Sequence, residues 1–178
     1  GPEEDKLVVF TDGAKKMNLV AMWRDKIPAH WKQKPGTLSP RIADQREVDL
    51  GGDISTVQSE QSVAVYDGHA FVVNNIPSED QPVLSKASYY VTMLNGMTRP
   101  TPRGVAMLKW DSEKDQWNPL WNRTDVGSIS IVPMISGGSR MALINGFYSG
   151  RLGEGYQIGM DLDTGKTVLE IATGSDPV

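Results

Sequence analysis

Short β-branched runs broken by two-residue turn signals recur along the whole chain, and this punctuation restricts the fold more than any other feature. Asp67 and Gly68 separate the run 62–66 from the run 69–73 and supply the positive φ angles that a tight reversal needs. Gly137 and Gly138 play the same part between 132–135 and 141–144, as do Thr164 and Gly165 between 157–161 and 167–171. Strands are expected at 6–11, 18–23, 46–50, 62–66, 70–74, 89–94, 104–110, 129–135, 140–145, 156–162 and 166–172, each rich in β-branched or aromatic residues and bounded by turn formers. No window of helix length keeps a 3.6-residue period, and the one helical candidate, 25–31, is a single turn interrupted by Pro28. The expected class is all-β with antiparallel pairing.

Composition narrows the choice further. A chain of 178 residues that is 39% hydrophobic supports one domain with a real core. Its 18 basic and 22 acidic side chains leave a net charge of −4, with no basic block, so nucleic acid is not an expected partner. No apolar run reaches the roughly 18 residues of a membrane helix, so no membrane span is expected. The absence of cysteine excludes disulfides, thiolate ligands and Cys nucleophiles, and two histidines exclude a multi-histidine metal site within this chain. The chain opens on Gly1 and Pro2 without an initiator Met; the expectation is a removed leader or tag and a periplasmic or secreted location.

The turn signals align into three weak copies of a four-strand unit, at about 6–51, 55–127 and 128–174, the first lacking its front strand. Four-stranded antiparallel units arranged radially make a β-propeller, and three of them make at most part of a ring. Residues 3–178 are therefore expected to form about three blades of a larger β-propeller, completed by remaining blades or by a second chain. A β-sandwich or barrel is the alternative, because hairpins at this spacing also describe those folds. The second unit carries an insertion, 75–103, beyond the usual length of a hairpin connection.

Gly159, Asp161, Thr164, Gly165, Lys166 and Leu169 fall on the pattern A-x-D-x-x-T-G-K-x-x-W, with Gly in place of Ala and Leu in place of Trp. In this the segment resembles the tryptophan-docking repeat of the pyrroloquinoline-quinone type of β-propellers, the quinoprotein-like family. A looser likeness extends over 104–174, where the turn between Trp110 and Trp117 is also led by an Asp, Asp111. The resemblance implies a structural role: Asp and Thr bond the turn, Gly takes the left-handed position, and the last apolar residue docks on the neighbouring blade. It implies architecture more than activity, because a quinone and Ca²⁺ pocket draws on many blades and one branch uses a vicinal disulfide that a cysteine-free chain lacks.

In such an architecture the ligand funnel is lined by 12–18, 51–55, 74–103, 125–128 and 148–154. Asn74, Asn75, Tyr89, Tyr90, Arg99, Arg103 and Arg151 are the ligand-binding candidates there, since amides, aromatic rings and guanidinium groups suit a carbohydrate, a sugar acid or another small molecule. Asp12, Asp53, Asp125 and Glu154 are oxygen donors of the type that Ca²⁺ requires, although acidic residues are also ordinary turn formers. His30, beside Trp31, is the one candidate general base. His69, at a turn, is expected to be exposed and structural, and Trp23, Trp110, Trp117 and Trp121 are expected to pack between blades. The leading expectation is a non-redox segment that binds a ligand or partner. The alternative is part of a lyase, hydrolase or quinone-type dehydrogenase completed by other blades or chains.

Overall fold

The computed structural model describes residues 6–51, 54–76, 102–128, 132–151 and 153–174. The chain folds into antiparallel sheets, with no helix among the described residues. Sheet one runs β1 (Leu7–Thr11), β2 (Asn18–Trp23), β3 (Ile42–Glu47). Sheet two runs β4 (Ala64–Tyr66), β5 (His69–Val73), β6 (Val105–Asp111), β7 (Gln116–Arg123). Sheet three places β10 (Met141–Tyr148), β11 (Tyr156–Asp161) and β12 (Thr167–Ala172) in order, while β8 (Val126–Gly127) and β9 (Met134–Ser136) both pair with β10.

Sheet two is apolar on both faces. On one side Ala70, Val72, Ala106, Leu108 and Trp110 share a core with Leu19, Ala21 and Trp23 of sheet one. On the other, Phe71, Val73, Val105 and Met107 share a second core with Ala142, Ile144, Ile158 and Met160 of sheet three. Burial on both faces matches the unbroken apolar runs 70–73 and 105–108, whereas in β1 burial alternates although Leu7, Val8, Val9 and Phe10 are all apolar. Like positions meet like positions: β3 lies against β7, and β4 against β9.

Each sheet grips the next through its last strand. Trp121, opposite Met107 and Phe71 in register, seats its ring on Gly165 in the β11–β12 turn and donates Nε1–H to the Leu162 carbonyl at 2.9 Å. Asp44 holds the matching place in sheet one, opposite Ala21 and Val9. Its carboxylate accepts the Trp117 backbone N–H at 2.7 Å and the Lys34 ammonium at 2.9 Å, and Lys34 also donates to the Asp115 carbonyl in the β6–β7 turn. Trp31, Trp23, Trp110 and Trp117 form an edge-to-face chain within the first interface, with centroids 5.2–6.4 Å apart.

Several local expectations shift. The last strand of sheet one begins at Ile42, ahead of the expected 46–50, because Ile42 is buried and pairs with Met22 of β2, Ala43 is buried at the bulge that follows, and Val48 and Leu50 enter the core beyond the strand. Residues 25–31 form an irregular segment with a turn closed by Trp31 N–H to the Pro28 carbonyl. At the β9–β10 turn the left-handed residue is Arg140, with φ of 48°, in place of Gly137 or Gly138. Gly137 is needed for another reason: a Cβ there would lie 2.4 Å from the Tyr66 ring. Asp67 and Gly68 do hold positive φ, 46° and 69°. The expected strand 89–94 lies outside the described residues.

Candidate functional site

One end of the stack gathers the β1–β2 turn, the two roots of the β5–β6 connection, and the described parts of the β10–β11 connection and of the crossings between sheets. A line of hydrogen bonds knits them. Gln58 donates to the carbonyls of Gly13 and Ala14, Val57 exchanges backbone bonds with Lys15 and Met17, and Asn75 N–H reaches the Gln58 carbonyl. Gly104 N–H donates to Val126, and Ser149 N–H to Asp125.

Asn74 and Asn75 anchor this line and are both only 3% exposed. The Asn74 amide accepts from Gln58 N–H at 3.0 Å and donates to the Arg103 carbonyl at 3.0 Å and the Thr56 carbonyl at 3.4 Å. Asn75 accepts from Glu60 N–H at 3.0 Å. The two asparagines thus fasten the roots of the 75–103 insertion to the segment entering sheet two. Tyr89, Tyr90, Arg99 and Asp53 lie outside the described residues.

The carboxylates sit apart, each held by its own hairpin. Asp12 accepts from Ala14 N–H, Asn18 N–H and the Asn18 amide; burial pushes its carboxyl up, and the Asn18 and Ala14 bonds outweigh it, leaving it below the usual range. Asp125 accepts both arms of the Arg123 fork, which lowers its pKa despite partial burial. Among the described residues no group of three His, Asp or Glu is arranged to hold a metal ion.

Arg151 and Glu154 come together, and they do so around two residues the sequence reading did not single out. Tyr148 and Tyr156, at the two roots of the β10–β11 loop, meet edge to face at 5.3 Å. The Arg151 guanidinium lies 5.1 Å from the Tyr148 ring centre and 5.9 Å from that of Tyr156, and Nη1 donates to the Tyr156 hydroxyl. Tyr156 donates to Glu154, and Tyr148 donates to Glu170 on β12 at 2.6 Å. Burial and the Glu170 carboxylate push the Tyr148 phenol up, so it stays a hydrogen donor at neutral pH. With Arg151 54% exposed and both tyrosines half-buried, the group presents a guanidinium, two carboxylates and part of each ring to solvent on one patch. A tyrosine at each root of a loop carrying Arg151 and Glu154 was the available sequence signal.

The histidines lie at the opposite end. His30 is 76% exposed, and its Nε2 stands 3.4 Å from Asp115 Oδ2. His69 is buried, against the expectation of a solvent-exposed turn residue, because the β4–β5 turn tucks under Asp163 of sheet three.

A protein of uncharacterized function from Archaeoglobus fulgidus is 32% identical to the chain over 142 residues, which cover 75% of the chain and 26% of that protein. The chain thus spans about a quarter of the length of the relative it matches. No protein-family model matches the chain, and no solved structure matches it.

Proposed function

We propose that the chain is a three-blade segment of a β-propeller that binds a carbohydrate, sugar acid or partner surface at the end where its interstrand loops gather. The architectural half of this reading rests on repetition. In register, Ala64, Phe71, Met107 and Trp121 form a row across sheet two, and Met134, Leu143, Gly159 and Leu169 form the same row across sheet three. The first row faces a neighbouring sheet. The second is the face on which a further blade would pack, with Leu169 in the place that Trp121 fills one sheet earlier. The seat of Trp121 on Gly165 is the contact that the tryptophan-docking resemblance leads one to expect.

The observation that carries the binding half is the Tyr148, Tyr156, Arg151 and Glu154 group. Tyrosine rings stack on the C–H faces of sugars, a guanidinium forks onto a carboxylate or vicinal hydroxyls, and flanking carboxylates accept from hydroxyl groups. Its two tyrosines stand at the ends of adjacent paired strands, so the placement of their rings is set before a ligand arrives. The reading is one of binding and includes no catalytic step.

The test is a nuclear magnetic resonance titration with a panel of neutral oligosaccharides and uronic acids. At least one should shift the resonances of Tyr148, Arg151 and Tyr156, and Arg151→Ala should abolish the shifts while leaving the melting midpoint unchanged. Shifts confined to the His30 end, or no saturable shift from any of the panel, would overturn the reading.

A further inference from the structure

Sheets two and three have a strand, β4 or β9, on the inner side of β5 and β10. In sheet one, β1 holds the place of β5 and β10, and among the described residues it pairs only with β2. Asp12 N–H bonds the Asn18 carbonyl and Arg24 N–H bonds the Lys6 carbonyl. In an antiparallel ladder alternate residues face the partner, so the backbone N–H and C=O groups of Leu7, Val9 and Thr11 point away from β2.

That edge borders a groove of about 250 Å³ lined by Leu7, Val9, Val65, Tyr66, Trp110 and Trp117. Val65, opposite Ala70 in register and so on the face turned to sheet one, is 57% exposed. The equivalent contact one sheet along is made: β9 lies against β4. The ring of Trp117 forms part of the groove wall, and its indole N–H is buried without a hydrogen-bond partner.

Exposed strand edges are normally blunted by charges, prolines or bulges. The other long edges follow that rule: β3 carries Asp44, Arg46 and Glu47, β7 carries Pro119, Arg123 and a bulge, and β12 carries Glu170 and a bulge. The β1 sequence, Leu7, Val8, Val9, Phe10 and Thr11, has none of these devices.

We infer that the β1 edge and its groove are a strand-acceptor site, which takes an extended polypeptide strand, antiparallel to β1, with apolar side chains at alternate positions. Backbone bonds to Leu7, Val9 and Thr11 give the strand its register, and its inward side chains cover Val65 and Trp110. Antiparallel addition matches every strand pair among the described residues. The surface is separate from the loop end, and the inference does not depend on a ligand binding there.

A capped synthetic peptide copying residues 62–68, which hold the inner position in sheet two, is a direct probe. It should bind saturably, change the indole fluorescence, and slow amide exchange at Leu7, Val9 and Thr11. The same peptide N-methylated at alternate amides, on the edge that faces β1, should not bind. Val65→Glu, at an exposed position, should leave the melting midpoint unchanged and weaken binding by about tenfold, or ~1.4 kcal/mol. Absence of saturable binding, equal binding of the methylated peptide, or protection on β7 or β12 in place of β1 would overturn the inference. So would a dimer of the chain that protects the β1 amides and takes up no peptide.

Discussion

The buried imidazole of His69 places Nε2 3.2 Å from Oδ1 of Asp163, a residue in the β11–β12 turn of the neighbouring sheet. Its Nδ1 lies 3.0 Å from the Asp67 carbonyl and 3.2 Å from that of Tyr66, so the ring bridges two sheets and closes its own hairpin. The other Asp163 oxygen accepts from Arg140 at 2.8 Å, and the Lys109 ammonium stands 3.3 Å from Nδ1. His69→Ala should therefore destabilise the protein by about 2–4 kcal/mol, from lost packing and a carbonyl left without its donor. Arg140→Ala removes an ion pair whose two side chains are about half exposed and screened by water, and should cost far less than His69→Ala. Urea unfolding of both variants checks the contrast, and equal losses would refute it.

Trp121 and Gly165 make a second testable joint. Gly165 has a φ of 70°, and a Cβ there would lie 2.6 Å from the Trp121 ring. Gly150 has a φ of 83° with open space around it. Gly150→Ala thus measures the backbone cost alone, about 1–2 kcal/mol. Gly165→Ala should cost about 1–3 kcal/mol more, because the ring must leave its seat. Trp121→Phe keeps most of the ring and loses the bond to Leu162, for about 1 kcal/mol. Chemical denaturation of the three variants decides whether the joint is worth what its geometry suggests.

These joints mark how far the sequence is legible. The strands and the turns at Asp67, Gly68 and Gly165 are read from local chemistry, because alternation and positive φ are properties of a few neighbouring residues. What joins one sheet to the next depends on residues far apart in the chain. Asp44 taking the docking place that Trp121 holds one sheet on has no local signature, and neither does His69 meeting Asp163. At the site, Arg151 and Glu154 stood out by type, but their grouping with Tyr148 and Tyr156 follows from the β10–β11 register. Asn74 and Asn75 look like open donors in the sequence, whereas the backbone that claims them arrives from 56–60.

Acid should unfold the protein only at low pH. The Arg140 bond to Asp163, the Thr164 bonds to Asp161 and the Arg123 fork on Asp125 hold these carboxyls below 3.8. The unfolded chain then binds protons at a higher pH than the folded one. The stability these groups contribute is complete above that value and is lost as the pH falls through their lower native values. Melting midpoints should stay level from neutral pH to about 5 and decline below about 4. Asp161→Asn should flatten part of the decline. A fall beginning near pH 6 would have to come from other groups.

The Asn74 amide gives the sharpest charge test. Its Oδ1 accepts from Gln58 N–H, and its Nδ2 faces the carbonyls of Arg103 and Thr56, all at a buried position. Asn74→Asp is nearly isosteric, yet an ionised carboxylate would set a negative oxygen against two carbonyl oxygens out of reach of water. The protonated acid restores one donor. The variant's folded-state carboxyl pKa is therefore raised, and the variant should lose stability relative to the parent as the pH rises from about 5 to 7.5. Asn75→Asp keeps the acceptor that Glu60 N–H uses and should show a smaller loss over the same range. Parallel thermal melts at the two pH values, with hydrogen exchange at the Asn74 and Gly104 amides, separate the cases. If Asn74→Asp tracks the parent at both pH values, the amide is not what fastens the root of the insertion.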